Sequence, residues 1–268
     1  MSLALFLAHL KSSRWGIVAW VAIIFVYALL VIYLYPTVAD TFGTEYYQIL
    51  PDWLKQALGL EDVDLSGGLP LSIYVTTEFL AWWPLLVGIY AIFAAGGIVA
   101  REMDKGTLGL LLSQPLRRSR LLSSKFAAFC LALIFIGIAA VAGIALGFAL
   151  IDVSASLGGI CLAVVEGLCL VLAIGSYSLL FSCIFLDPRR TLTASGLLTA
   201  AFYILSFIAP ILGRFDWLSR LSLFYYYRPG QIVDTATPDW AGLGIYLGLT
   251  AVCFIASLRV FQRRDIAA

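Results

Sequence analysis

Residues 15–36 read W-G-I-V-A-W-V-A-I-I-F-V-Y-A-L-L-V-I-Y-L-Y-P, with no charged residue between Trp15 and Tyr35. An α-helix rises about 1.5 Å per residue, so about 20 apolar residues cross the roughly 30 Å hydrocarbon core of a bilayer. The run is long enough to span. It carries no small-residue cleavage site and ends in Tyr33 and Tyr35, which suit the lipid–water boundary. It is therefore read as a retained span ending at Pro36, not as a signal peptide.

The same reading applied along the chain finds five more runs: about 71–100, 121–150, 157–186, 192–212 and 240–261. Pro84 predicts a kink in the second. The expected fold is all-α: a polytopic membrane protein of six transmembrane helices in a single domain over 1–268. No internal repeat, low-complexity tract or soluble linker interrupts it. Composition agrees. Of 268 residues, 62% are hydrophobic and 12% charged, where a soluble domain carries about 25% charged residues. So little charge cannot coat a globular surface of this size, and lipid is the natural solvent.

A net charge of +1 leaves no global basic field for nucleic acid. Cys130, Cys161, Cys169, Cys183 and Cys253 all lie in apolar runs without a C-x-x-C pair, so they read as packing residues and imply neither disulfides nor a metal site. His9 is the only histidine. A His-dependent catalytic centre would have to use it alone.

Residues 1–14 mix apolar positions with Lys11 and Arg14, and are expected to form an interfacial helix lying on the membrane. Charge then sets orientation. With both termini in the cytosol, the inner side receives 13 of the 17 Lys and Arg; only Lys55, Arg214, Arg220 and Arg228 fall outside. That is the bias the positive-inside rule asks for. Two outer segments are long. Residues 37–70 are acidic and contain a short amphipathic stretch from Pro51, at a helix start, to Gly59 near its end. Residues 213–238 carry Trp217 and Phe224-Tyr225-Tyr226-Tyr227, which form an ordinary aromatic belt at the outer interface or partly re-enter it. Gly96-Gly97, Gly137, Gly143, Gly147 and Gly158-Gly159 permit close helix approach.

A dense cluster of charge lies in residues 101–120, R-E-M-D-K-G-T-L-G-L-L-L-S-Q-P-L-R-R-S-R, and in Lys125 just beyond. Gly106 allows an unusual backbone angle, Thr107 can cap the amides that follow, and Pro115 ends the element after Gln114. The two turns between are apolar nearly all round, with Leu108, Leu110, Leu111 and Leu112. Such a helix must bury against lipid, its own bundle or a groove on a partner. A tight loop whose charges only set topology is the plainer alternative.

The pattern E-x-x-x-G-T-L-x-x-L-L-x-x-P-x-x-R-x-x-L-x-x-x-K, carried by Glu102, Gly106, Thr107, Leu108, Leu111, Leu112, Pro115, Arg118, Leu121 and Lys125, resembles the first cytoplasmic loop of type-2 ABC exporter permeases. Gly109 departs from it, since members often carry an acidic residue there. That family's plan of six spans, cytoplasmic termini and an N-terminal interfacial helix matches the one read above. The resemblance implies a permease in the cytoplasmic (inner) membrane whose short coupling helix, including Gln114, docks on a separate cytoplasmic ATPase subunit. ATP and Mg would be bound by that ATPase; this chain contains no G-x-x-x-x-G-K-[ST] and would need no cofactor of its own. A second permease copy, or a related permease, would complete the unit.

Glu78 and Glu166 fall within spans, in the outer halves by this topology. A carboxylate at such depth usually faces a bundle interior or an aqueous cavity. Both are candidates for a substrate path and mildly favour a cationic cargo; protonated, purely structural acids are the alternative. Two further functions are weighed: a membrane anchor or regulatory subunit that binds a partner without transport, and an intramembrane enzyme, for which these two acids are the sole candidates.

Overall fold

The computed structural model describes residues 3–43, 45–52, 54–55, 69–106, 117–152, 157–211 and 216–264. Among them the regular structure is helical. The elements are α1 (Leu3–Phe42), α2 (Glu45–Ile49), α3 (Leu71–Val75), a π turn (Thr76–Leu80), α4 (Trp83–Asp104), α5 (Arg118–Leu150), α6 (Leu157–Phe185), α7 (Pro188–Ile211), two short 3₁₀ turns (Asp216–Leu221 and Leu223–Tyr226), α8 (Pro229–Thr235) and α9 (Trp240–Arg263). Five stretches are long and apolar enough to cross a membrane: Leu5–Phe42, Leu71–Asp104, Arg118–Leu150, Leu157–Phe185 and Trp240–Arg263. The remaining expected span, 192–212, corresponds to α7, which is helical over 24 residues but is not among those five.

Two boundaries differ from expectation. Residues 1–14 were expected to lie as a separate interfacial helix, yet α1 runs unbroken from Leu3 and continues through Pro36 to Phe42. Nothing in residues 3–14 breaks a helix: there is no proline or glycine before Gly16. Pro36 removes one hydrogen-bond donor near the helix end, and the chain tolerates that loss. At 40 residues, α1 is about 60 Å long, about twice the hydrocarbon thickness, so it extends beyond the bilayer.

The second span is broken ahead of Pro84 rather than at it. The π turn closes with Ala81 N–H donating to the Thr76 carbonyl at 2.9 Å, and Trp82 N–H donates to the Phe79 carbonyl at 3.1 Å. The helix restarts with Pro84 in its first turn, where a missing N–H costs nothing. In the segment between the first two spans Leu54 N–H donates to the Pro51 carbonyl at 2.9 Å, which starts a turn where expected. Gly59 lies outside the described residues.

Helix α6 occupies the centre, packed against α4, α5, α7, α8 and α9, while α1 leans on α5 from outside. Glycines set these approaches. A Cβ on Gly167 would stand 2.8 Å from Trp83 Cζ2, and one on Gly175 would stand 2.4 Å from Phe129 Cζ. On α5, Gly143 faces the Phe25 carbonyl of α1 at 2.6 Å and Gly147 faces Ile32 Cβ at 2.5 Å by the same measure. Gly159 faces the backbone of Val233 on α8. Of the glycines read from sequence, Gly96, Gly137, Gly143, Gly147 and Gly159 thus act as contact points between helices; Gly167 and Gly175 were not singled out.

A Cβ at Gly143 must displace α1 backbone, whereas one at Gly248 meets nothing within 4 Å. Gly143→Leu is expected to lower the thermal unfolding temperature in detergent, at a cost of about 1–3 kcal/mol. Gly248→Leu should leave it unchanged. Equal behaviour of the two variants would contradict the packing described.

Candidate functional site

The ends of α1, α4, α5, α7 and α9 that carry most of the Lys and Arg lie at one end of the bundle, with the end of α6 beside them. Here the 101–125 region leaves and re-enters it. Residues 107–116, with Thr107, Leu108, Leu111, Leu112, Gln114 and Pro115, lie outside the described residues, so the loop is known by its two anchors. On the first, Lys105 N–H donates to the Arg101 carbonyl at 3.1 Å and Gly106 N–H to the Met103 carbonyl at 3.0 Å. Gly106 then turns the chain at φ +66°, a conformation that costs a side-chain-bearing residue energy and glycine little. The unusual backbone angle read from sequence is present.

The second anchor is the start of α5, and one ion pair joins the two. Lys125 Nζ lies 2.8 Å from Glu102 Oε1, with the lysine side chain 8% exposed and the glutamate 27%. Lys125 Nζ also donates to the Ile98 carbonyl at 3.4 Å. These are the first and last residues of the loop pattern. Their separation in sequence is the length of loop that the pair closes. Leu121, one turn before Lys125, is buried beneath it.

Arg118 points elsewhere. Its Nη1 donates to the Arg264 carbonyl at 2.6 Å and reaches the Phe261 carbonyl at 3.4 Å, so it caps the last turn of α9. Arg264 in turn donates to the Cys183 carbonyl at 3.1 Å and to the Ile184 carbonyl, capping α6. The last carbonyls of a helix lack partners within it and carry partial negative charge, so each guanidinium satisfies both needs. A third tie lies between α4 and α6, where Ser182 Oγ accepts from Ala100 N–H at 2.9 Å. Start of α5, end of α9 and end of α6 thus form one hydrogen-bonded chain. Sequence reading missed the role of Arg264, because capping between distant helices leaves no local pattern.

At the opposite end, the two acids engage different elements. Glu166 is 1% exposed on α6. Its Oε2 accepts from Asp239 N–H at 3.1 Å, and Asp239 caps α9 by accepting from Ala241 N–H at 3.0 Å. Glu166 Oε1 is buried without a hydrogen-bond partner. Glu78 sits half-buried on the π turn, whose backbone is held by Tyr27 Oη donating to the Glu78 carbonyl. The segment between α7 and α8 packs partly into this end of the bundle. Leu223 and Tyr227 are buried, Trp83 Nε1 donates to Tyr227 Oη at 3.2 Å, and Tyr246 Oη donates to the Leu223 carbonyl at 3.0 Å. Trp217 stays outside, 60% exposed. Among the described residues no group of His, Cys, Asp and Glu could hold a metal ion.

Over residues 10–266 the chain matches the model of a family described as ABC-2 family transporter protein. The uncharacterized protein YhcI of Bacillus subtilis (strain 168) is 35% identical over 83 residues, 29% of this chain. That match covers 26% of YhcI, about a quarter of its length.

Replacing Lys125 by Met removes its ion pair with Glu102 and its hydrogen bond to the Ile98 carbonyl. We expect a loss of about 1–3 kcal/mol, typical of a hydrogen bond to a charged group. The double variant Glu102→Lys, Lys125→Glu should recover part of it. Thermal unfolding in detergent reads both, and a charge-reversed pair no more stable than the single variant would count against the clamp.

Proposed function

The chain belongs to the ABC-2 transporter protein family, and from that premise we propose that it is the membrane-spanning permease subunit of an ATP-driven exporter. Hydrolysis of ATP, with its Mg, takes place on a separate cytoplasmic ATPase, and this chain has no catalytic role of its own. The observation that supports the coupling role best is the Glu102–Lys125 clamp at the base of the apolar loop.

The physical argument runs from that clamp. The leucines at 108, 110, 111 and 112 need an apolar surface, and a groove on the ATPase supplies one. When the ATPases close, they push on this loop. A loop on two unlinked helices would absorb the push by flexing. Here α4 and α5 are tied at the loop's base, so they move together. Arg118 and Arg264 extend the connection to the ends of α9 and α6. A second permease copy, or a related chain, forms the other half, and the substrate path runs between the two bundles. In this reading both termini lie in the cytosol and the membrane is the inner one. Glu78 and Glu166 mark the outer half of the path. The partnerless Oε1 of Glu166 is the feature that favours this over a purely structural acid.

Co-expression with the ATPase encoded beside the gene tests the first part. The ATPase should co-purify with the native chain in nanodiscs and be lost from the Leu111→Asp, Leu112→Asp variant. A correctly folded native chain that captures no ATPase would remove the mechanism. The membrane-anchor reading predicts capture without stimulation of ATP hydrolysis, so the turnover rate separates the two. In the same complex, Glu166→Gln should impair transport while ATPase capture stays at the native level. Native transport by that variant would take Glu166 off the path.

A further inference from the structure

We propose that the chain binds the phosphate headgroup of an anionic phospholipid in a cleft between α1 and α4, at the leaflet next to the 101–125 loop. Helix α1 packs on α5 and makes little direct contact with α4. The gap is a cavity of about 400 Å³ with its floor at Ala128 and Phe129 of α5.

The lining is graded along the helices. At the mouth are Ser12 and Ser13 of α1 with Arg101 and Lys105 at the end of α4; deeper in are Trp20 and Phe93. Trp20 and Tyr90 close the deep end, their rings 5.8 Å apart. A cationic, hydroxyl-bearing mouth above an apolar wall is the polarity profile of a phospholipid turned inward. Free phosphate would use the mouth and leave the wall unexplained.

Arg101 and Lys105 are both exposed at the mouth. Glu102 also lines the cleft but is paired with Lys125 at 2.8 Å. The ion pairs among the described residues are that one and Lys55–Asp52; neither Arg101 nor Lys105 takes part in one. Two glycines shape the space. A Cβ on Gly97 would stand 2.8 Å from Arg101 Cδ and Nε, so the arginine lies back along α4 over Gly97, toward the cleft. Gly16 lines the cleft from α1, and a Cβ there meets nothing within 4 Å.

Native mass spectrometry of the purified chain, offered phosphatidylglycerol and phosphatidylcholine with identical acyl chains, tests the site. The native chain should retain phosphatidylglycerol preferentially. Arg101→Gln with Lys105→Gln should lower that retention on the order of fivefold for each cation removed. Gly16→Phe, at a position where an added Cβ meets nothing within 4 Å, places a ring in the cleft and should abolish retention at an unchanged unfolding temperature. Equal retention of the two lipids, or native retention by Gly16→Phe, overturns the proposal. Displacement of the lipid by millimolar inorganic phosphate would also overturn it, reassigning the mouth to free phosphate. The measurement uses neither ATPase nor transport, so it fails or succeeds independently of the exporter reading.

Discussion

Gly167 and Gly175 leave no side chain between α6 and its neighbours, and Trp83 of α4 and Phe129 of α5 fill the space so made. Trp83 is fully buried and Phe129 nearly so. In lipid the outside of a helix is as well solvated as the inside, so burial of apolar surface does not by itself draw helices together. Close van der Waals packing and interhelical hydrogen bonds do that work instead. Both depend on backbones coming near each other. Glycine on the central helix is the condition for that, and Ser182 adds a hydrogen bond to α4 where the helices are close.

With α6 as the fixed centre, the basic end of the bundle can be held by few charges. Lys125 ties α5 to α4, Arg118 ties α5 to α9, and Arg264 ties α9 to α6. Each bond uses a cation at the end of the bundle where most of the Lys and Arg gather, so the charges clustered there also join its helix ends. Arg101 and Lys105, which take no part in an ion pair among the described residues, line the cleft beside α1.

The opposite end is organised by a buried acid. Glu166 reaches the N-terminus of α9 through Asp239 N–H, where unpaired helix amides favour a negative partner. Tyr227 and Tyr246 complete the attachment of the outer segment to α4 and α9. The sequence showed a carboxylate deep within a span, on a substrate path or purely structural. It could not show that its partner is a backbone amide 73 residues away, because such a contact exists only once α6 and α9 lie side by side.

What was legible in the sequence was whatever depends on the neighbours of a residue along the chain. Runs free of charge such as 15–35 define spans, because a span must satisfy its own backbone in lipid. The left-handed turn at Gly106 and the restart at Pro84 follow from local stereochemistry. Likewise the loop pattern from Glu102 to Lys125 could be read, although the reason for its length could not: it is the distance around a salt bridge. The tertiary structure alone decided that α6 is central, that Arg118 and Arg264 cap helices other than their own, that α1 is one helix from Leu3 to Phe42, and that a cleft opens between α1 and α4. All but the continuity of α1 are relations between surfaces distant in sequence, and hydropathy carries no record of which faces meet. The continuity of α1 is a balance between helix propagation and a single proline, and composition alone does not settle it.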